Sequence, residues 1–362
     1  MTDQNAPVPR ATSNRSTVPV SDTFTQYISG EWAKRTEAEP RPREQAEWAA
    51  ARRARLSALY AGKRLIIPAG AAAVRSNDTD YAYRAHSAFS HLTGWASDTV
   101  AGSVLVLEPT AEGHIATLYF RKAAGRDSDE FYANSEIGEF WTGPRPSLAH
   151  VAMDLGLLTA DLAEFDRLLD SVDAHTIILR DSDRDLTDQI DGRRLLSTNT
   201  ENANTESADT EDDADSEFAR DLSELRLVKD PWEIQQMRHA VAATKKGFDD
   251  VIADRDAIVA HERGERLVEG TFNRRARAEG NAVGYDTIAA SGPHACILHW
   301  TRNDGAVVPG DLILMDAGIE LDSLYTADIT RTLPVNGVFS ETQRRVYEAV
   351  LEAADAAFAI VR

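Results

Sequence analysis

The chain has 362 residues and a single cysteine, Cys296. One thiol permits neither an intrachain disulfide nor a thiolate zinc cluster, a usage that fits a reducing compartment. Basic residues are also scarce: 39 Lys and Arg stand against 59 Asp and Glu, a formal net charge of −20. A protein that holds nucleic acid through its phosphates needs a basic face, and no stretch here gathers one, so general nucleic-acid binding is excluded. No run approaches the roughly 18 apolar residues that span a bilayer. The N-terminal MTDQNAPVPRATSNRSTVPV has no apolar core of signal-peptide length. The expected address is therefore cytoplasmic, with no membrane partner.

What is present suits a folded protein. Hydrophobic residues make up 43% and charged residues 27%, and the length predicts two domains at about 150 residues each. Residues 1–22 are rich in Pro, Ser, Thr and Asn and are expected to form a disordered tail. Residues 23–198 alternate helical and strand-like patterns, the mark of an α/β domain. Glu39 to Tyr60 reads as a helix, and RLIIP as a short strand closed by Pro and Gly. SVLVLEP and HIATLYF, joined by a polar link with glycine, read as a strand pair, LLTADLAEFDRLLDSV as a helix and HTIILR as a buried strand. Residues 199–216, with many acids and no base, are expected to be a flexible insertion at the domain boundary. The second domain, 217–362, opens with a helix from Pro231 carrying Ile234, Met237, Val241 and Phe248 on one face. A second helix stops at Gly280, strand-like pieces follow (TIAAS, ACILHW, DLILMDAGIE), and Ser340 with Gln343 forms a capping box before a final helix.

The chemistry concentrates between Gly284 and Pro334. Asp316 follows the apolar run Leu312 to Met315, so a strand that reads as buried delivers a carboxylate. An unpaired buried carboxylate is costly and must be protonated, matched by a base or bound to a cation. Asp328 lies in a second strand-like run, TADITRT, and a hairpin through GIELDSLY brings the two acids to one spot. Two acids that close repel unless a multivalent cation sits between them. His299, at the end of CILHW, is placed to face the same pocket and to hydrogen-bond a developing oxyanion. Each has a plainer alternative, the aspartates as turn or cap residues and the histidine as a satisfied structural side chain.

The segments TIAASG, CILHW, MDAGIE and ADITRTLPVNG, in this order, strongly resemble the proline-specific aminopeptidases, the aminopeptidase P branch of the pita-bread metallopeptidases. ELRLVKDPWEIQQMRHA and VRSNDTDYAYRAHSAFSHLTGW extend the likeness to nearly everything from about residue 40 onward, the acidic insertion excepted. The resemblance implies an α/β (α+β) architecture, with an aminopeptidase P-like N-terminal domain followed by the first half of a pita-bread domain. It implies removal of the N-terminal residue from peptides with proline in second position, by a hydroxide bridging two divalent metal ions, most often Mn²⁺. By position, Asp316 matches the carboxylate that chelates one metal and Asp328 the carboxylate that bridges both. His299 matches the histidine that steadies the tetrahedral intermediate, and Trp141, in EFWTG, is a candidate for shaping the substrate pocket or for plain packing. A homo-oligomer is expected of the full-length form. The family's second half supplies a histidine and two glutamates to the metals, and this sequence stops at Arg362. The resemblance therefore implies a truncated catalytic domain that binds metal weakly. A non-catalytic peptide-binding module and an Xaa-Pro dipeptidase are the alternatives.

Overall fold

The computed structural model describes residues 21–33, 40–126, 128–201 and 208–361. Residues 1–20 of the expected tail, and 202–207 of the acidic insertion, lie outside the described residues. The contacts divide the chain into two units, Met1–Asp230 and Pro231–Arg362.

The first unit is built on a five-stranded sheet in the order Leu158–Asp161, Gly113–Phe120, Val104–Thr110, Arg64–Pro68, Thr176–Ile178. The strand pair expected at residues 103–120 is present as an antiparallel ladder from Val104↔Tyr119 to Thr110↔Gly113. Arg64–Pro68 pairs antiparallel on one edge and parallel on the other, and its fully buried Ile66 packs into one core cluster while Leu65 and Ile67, also fully buried, pack into another. Leu56 of the helix Gln45–Leu59 packs there with Phe89, Leu92 and Trp95. Residues 157–172, expected to be one helix, form the edge strand Leu158–Asp161, a single 3₁₀ turn and the short helix Phe165–Leu169. Parallel pairing with Gly113–Phe120 takes up the first residues, and the Asp161 carboxylate then accepts from Ala163 N at 3.2 Å, starting a new turn.

The acidic stretch also departs from expectation. Its described ends are helical, within Arg184–Glu201 and Ala208–Leu227. Phe218, Leu222 and Leu225 of the second helix join the first unit's core. Just ahead of them, the Asp215 side chain is fully buried. It accepts from Ile178 N at 2.9 Å, from Arg180 at 2.8 Å and from both terminal nitrogens of Arg194 at 2.8 and 2.9 Å. Acids in series read as a solvated loop, yet this one has two arginine partners from another part of the chain.

In the second unit, strands Ile329–Pro334, Leu312–Ala317 and Ile288–Ser291 form an antiparallel sheet in that order, beside a two-stranded ladder of Ile319–Glu320 with Ala282–Val283. The helix Pro231–Ala253 buries Ala240, Ala243, Thr244, Gly247 and Phe248, while Ile234 and Val241 of the expected apolar face are exposed. Close approach decides the face: a Cβ at Gly247 would lie 2.5 Å from the ring of Phe272, on the neighbouring helix Gly264–Glu279. That second helix ends at Gly280, whose N–H bonds to Ala276 O. The final helix Glu341–Ile360 starts with the capping box of Ser340 and Gln343, and none of its residues is buried. No described helix is long and apolar enough to cross a membrane.

Removing Asp215 takes from Arg180 and Arg194 the fully buried carboxylate they share and leaves them the more exposed Asp191, while Arg194 is itself buried. We expect Asp215→Ala to lower unfolding stability by about 3 kcal/mol or more in a urea titration. Glu217→Ala, at an exposed neighbouring position, should change it by less than about 0.5 kcal/mol.

Candidate metal centre

Leu312–Ala317 is the central strand of the second unit's sheet, and its apolar residues make it so: a strand hydrogen-bonded on both edges suits β-branched and aliphatic side chains. Asp316 stands opposite Thr330 on one neighbour and Ile288 on the other. The ladder ends at Ala317↔Ile329, and Asp328, one residue before it, lies near enough to Asp316 that the Tyr285 hydroxyl feels both acids.

Two close approaches hold this arrangement. At Gly318 the chain passes from one ladder to the next, and a Cβ there would lie 1.7 Å from Ala327 O and 3.1 Å from the ring of Tyr285. At Gly284 a Cβ would lie 2.1 Å from the Thr326 methyl. Gly284 N donates to Gly318 O at 2.9 Å and joins the two positions. Only residues without a side chain let the backbone segments carrying Tyr285, Asp316 and Asp328 come this near.

Tyr285 reports the proximity of the two acids. Its hydroxyl donates to Asp328 Oδ1 at 2.9 Å. Burial, then hydrogen bonding and charge from both Asp316 and Asp328, push the phenol well above its ordinary range, so it stays a proton donor at neutral pH. Thr330 Oγ1 donates to Asp316 Oδ2 at 2.6 Å. The other oxygen, Asp316 Oδ1, is buried and has no hydrogen-bond partner among the described residues. A buried acceptor without a donor calls for a cation or a water. Oxygen donors of this kind suit hard divalent cations, so the pair fits one side of a metal site. Among the described residues no group of three or more His, Cys, Asp or Glu side chains is placed to hold a metal ion.

His299 sits differently from expectation. CILHW is not a strand: Gly292–Cys296 is a 3₁₀ helix, and the chain continues through a turn in which His299 is exposed. Its imidazole makes no hydrogen bond with either aspartate among the described residues, and its carbonyl accepts from Thr301 N at 3.1 Å. The reason for the irregular backbone is Glu265, which patterning did not single out. Its carboxylate is fully buried in the second unit. Oε1 accepts from Ser291 N and from the His294 ring nitrogen, both at 2.8 Å, and Oε2 from Trp300 Nε1 at 2.9 Å and Gly305 N at 2.7 Å. The rings of His294 and Trp300 stack at 3.9 Å. Four donors on one carboxylate gather residues 291–305 into a loop instead of a ladder, and a buried charge is tolerated only when so satisfied. Tyr285, Thr330 and Glu265 all escaped the sequence reading. The signal for Glu265 would have been an acid at the start of a helix, indistinguishable from an ordinary first-turn residue.

Trp141 belongs to the first unit, in the short helix Glu139–Thr142. Its indole is 40% exposed, and Nε1 donates to Tyr132 O at 2.6 Å.

Comparison with known proteins gives the chain its relatives. Residues 235–362 match the model of metallopeptidase family M24, and residues 49–178 that of the aminopeptidase P N-terminal domain. An Xaa-Pro aminopeptidase 2 of Streptomyces coelicolor is 45% identical over 333 residues, 91% of this chain and 66% of its own length. An Xaa-Pro aminopeptidase 1 of the same organism is 43% identical over 347 residues, 95% of this chain and 65% of the relative. The chain thus spans about two thirds of these relatives' length. The solved structure of Pseudomonas aeruginosa aminopeptidase PepP superposes with a TM-score of 0.68 at 26% identity, covering 90% of this chain and 69% of that one. The mixed α/β first unit corresponds to the aminopeptidase P N-terminal domain and the second to the pita-bread domain, and the chain belongs to the aminopeptidase P branch of metallopeptidase family M24.

Proposed function

We propose that this chain carries the substrate-side and carboxylate portion of an Xaa-Pro aminopeptidase, a metal-dependent hydrolase that releases the N-terminal residue from peptides with proline second. The observation that carries the reading is the Asp316–Asp328 pair, with one buried oxygen left without a donor, in a chain 45% identical to an Xaa-Pro aminopeptidase. Asp316 and Asp328 are the residues that would hold divalent ions. When bound, such ions supply an acidified water and polarise the scissile carbonyl. The protein's own groups orient the acids. Thr330 turns Asp316 Oδ2 toward itself and leaves Oδ1 available, while the Tyr285 phenol keeps its proton on Asp328 Oδ1. His299, exposed and with an unengaged imidazole, is assigned to the oxyanion of the tetrahedral intermediate. Trp141 is assigned to the substrate pocket.

Manganese is the metal proposed, on the preference of carboxylate sites for hard cations. A zinc-substituted Escherichia coli aminopeptidase P has been solved with its product, and another form of that enzyme with the inhibitor Pro-Leu. The Pro-Leu inhibitor supports a dipeptide-shaped, proline-bearing occupant here as well. A cytoplasmic location and a homo-oligomer complete the proposal. The oligomer draws support from the exposed Val346, Val350 and Phe358 of the last helix. Because no group of three or more His, Cys, Asp or Glu side chains is placed to hold a metal among the described residues, a non-catalytic peptide-binding module is the second reading.

Two outcomes are expected. Residues 1–362 should bind Mn²⁺ with a dissociation constant of about 1 mM or weaker by calorimetry, since hard cations want about six ligands. Asp316→Asn should abolish that heat, and micromolar sites would contradict the ligand count. Joined to the part of the Streptomyces coelicolor relative that it does not match, the chain should release alanine from Ala-Pro-Ala. It should do so at least about 100-fold faster than from Ala-Ala-Ala by chromatography, and equal rates would reject proline specificity.

A further inference from the structure

A groove of about 960 Å³ opens on the first unit, between the helix Gln45–Leu59, the turn of the strand pair at residues 107–116 and the chain around Leu157. Ala50, Ala54 and Ala58, spaced four apart, give the helix side a flat apolar wall, and Ile115 and Leu157 face the space from elsewhere. Among these small groups stands one guanidinium. Arg53 is 8% exposed, and its Nη1 donates to Leu92 O at 2.7 Å, in the last turn of the helix Ser87–Thr93.

That carbonyl is its single protein partner among the described residues. Arg52, Arg145 and Arg194, also buried in this unit, each face a carboxylate: Asp230, Glu130 and Asp215 respectively. Arg53 has none, and burial, with no opposing acid, lowers its pKa to about 10. Its other N–H groups are absent from the sealed, unpartnered polar atoms of the interior, so they reach the groove. A buried cation with open donors and no counter-ion is held at a cost that an entering anion removes.

The remaining polar lining sets the charge of that anion. Ser57 Oγ lies 2.8 Å from His114 Nδ1, and His114 Nε2 lies 2.7 Å from Lys63 O. A carbonyl only accepts, so His114 Nε2 donates to Lys63 O, and Nδ1 is engaged with the Ser57 hydroxyl. Both ring nitrogens are thus used within the protein, and neither is left for an entering anion. Glu112 is exposed and also lines the groove, which disfavours a dianion. We propose that this groove is a binding site for a small monocarboxylate with an apolar body, its carboxylate on the Arg53 guanidinium and its body against the alanine wall. The planar fork of the guanidinium matches a carboxylate in two parallel hydrogen bonds.

The test titrates residues 1–362 with phenylacetate, acetate and inorganic phosphate, following heat and the Arg53 Nε–Hε resonance. Phenylacetate should shift that resonance and bind at least about tenfold tighter than acetate, because burying its ring removes apolar surface from water. It should also bind at least about tenfold tighter than phosphate, since one guanidinium balances one charge. Arg53→Met should weaken phenylacetate binding by about tenfold or more. Should that variant fail to fold, Ala58→Trp serves, because residue 58 is exposed on its helix and the indole fills the groove without touching the core. Phosphate binding as tightly as phenylacetate, no shift of the Arg53 signal, or an Ala58→Trp variant that binds like the parent would each overturn the proposal.

Discussion

The second unit is organised around an electrostatic liability. Asp316 and Asp328 are brought near each other at the end of one antiparallel ladder, where two carboxylates repel. Nothing in strand propensity favours such a pair, so the scaffold has to impose it. It does so through the central position of Leu312–Ala317, hydrogen-bonded on both edges, and through two glycines where any side chain would collide with backbone or Thr326. Around that enforced proximity the polar groups take sides: Tyr285 donates to one acid, Thr330 to the other, and one oxygen is left without a donor. An acceptor buried in this way is the physical reason to read the site as one for cations rather than as a pair of caps.

A second carboxylate solves the opposite problem. Glu265 is buried like Asp316 Oδ1, but four donors converge on it, from Ser291, His294, Trp300 and Gly305. It is satisfied where the Asp316 oxygen is not. The contrast separates structure from chemistry within a few residues of each other in the fold. Glu265 spends all its acceptors on holding the loop that bears His299, and so gives that loop a fixed path without any strand pairing.

The first unit handles charge by the same rule. Asp215, Arg194 and Arg52 are buried with partners, and removing one costs stability because it takes away a desolvated counter-charge. Arg53 breaks the rule beside a groove. Among the described residues Arg53 has no carboxylate opposite it, unlike Arg52, Arg145 and Arg194, and it borders a groove that offers a place for a ligand.

Much of this was legible beforehand, for identifiable reasons. The strand pair of residues 104–120, the end of a helix at Gly280 and the capping box at Ser340 follow from local turn chemistry and period-two patterning. Other features were out of reach because they depend on partners distant in sequence. Asp215 reads as part of a solvated acidic run until Arg180 and Arg194 arrive, and CILHW reads as a strand until Glu265 claims its flanking donors. The helix Pro231–Ala253 turns its small residues inward because Phe272 lies against Gly247. By itself, then, the sequence determined the segments whose turns and caps are local, such as the strand pair at 104–120 and the capped last helix, and the strands that carry Asp316 and lead away from Asp328. Which buried charges are satisfied and which are left open was decided by the tertiary structure alone, because a hydrogen bond to a buried group depends on where its partner lies in space and not on the residues beside it.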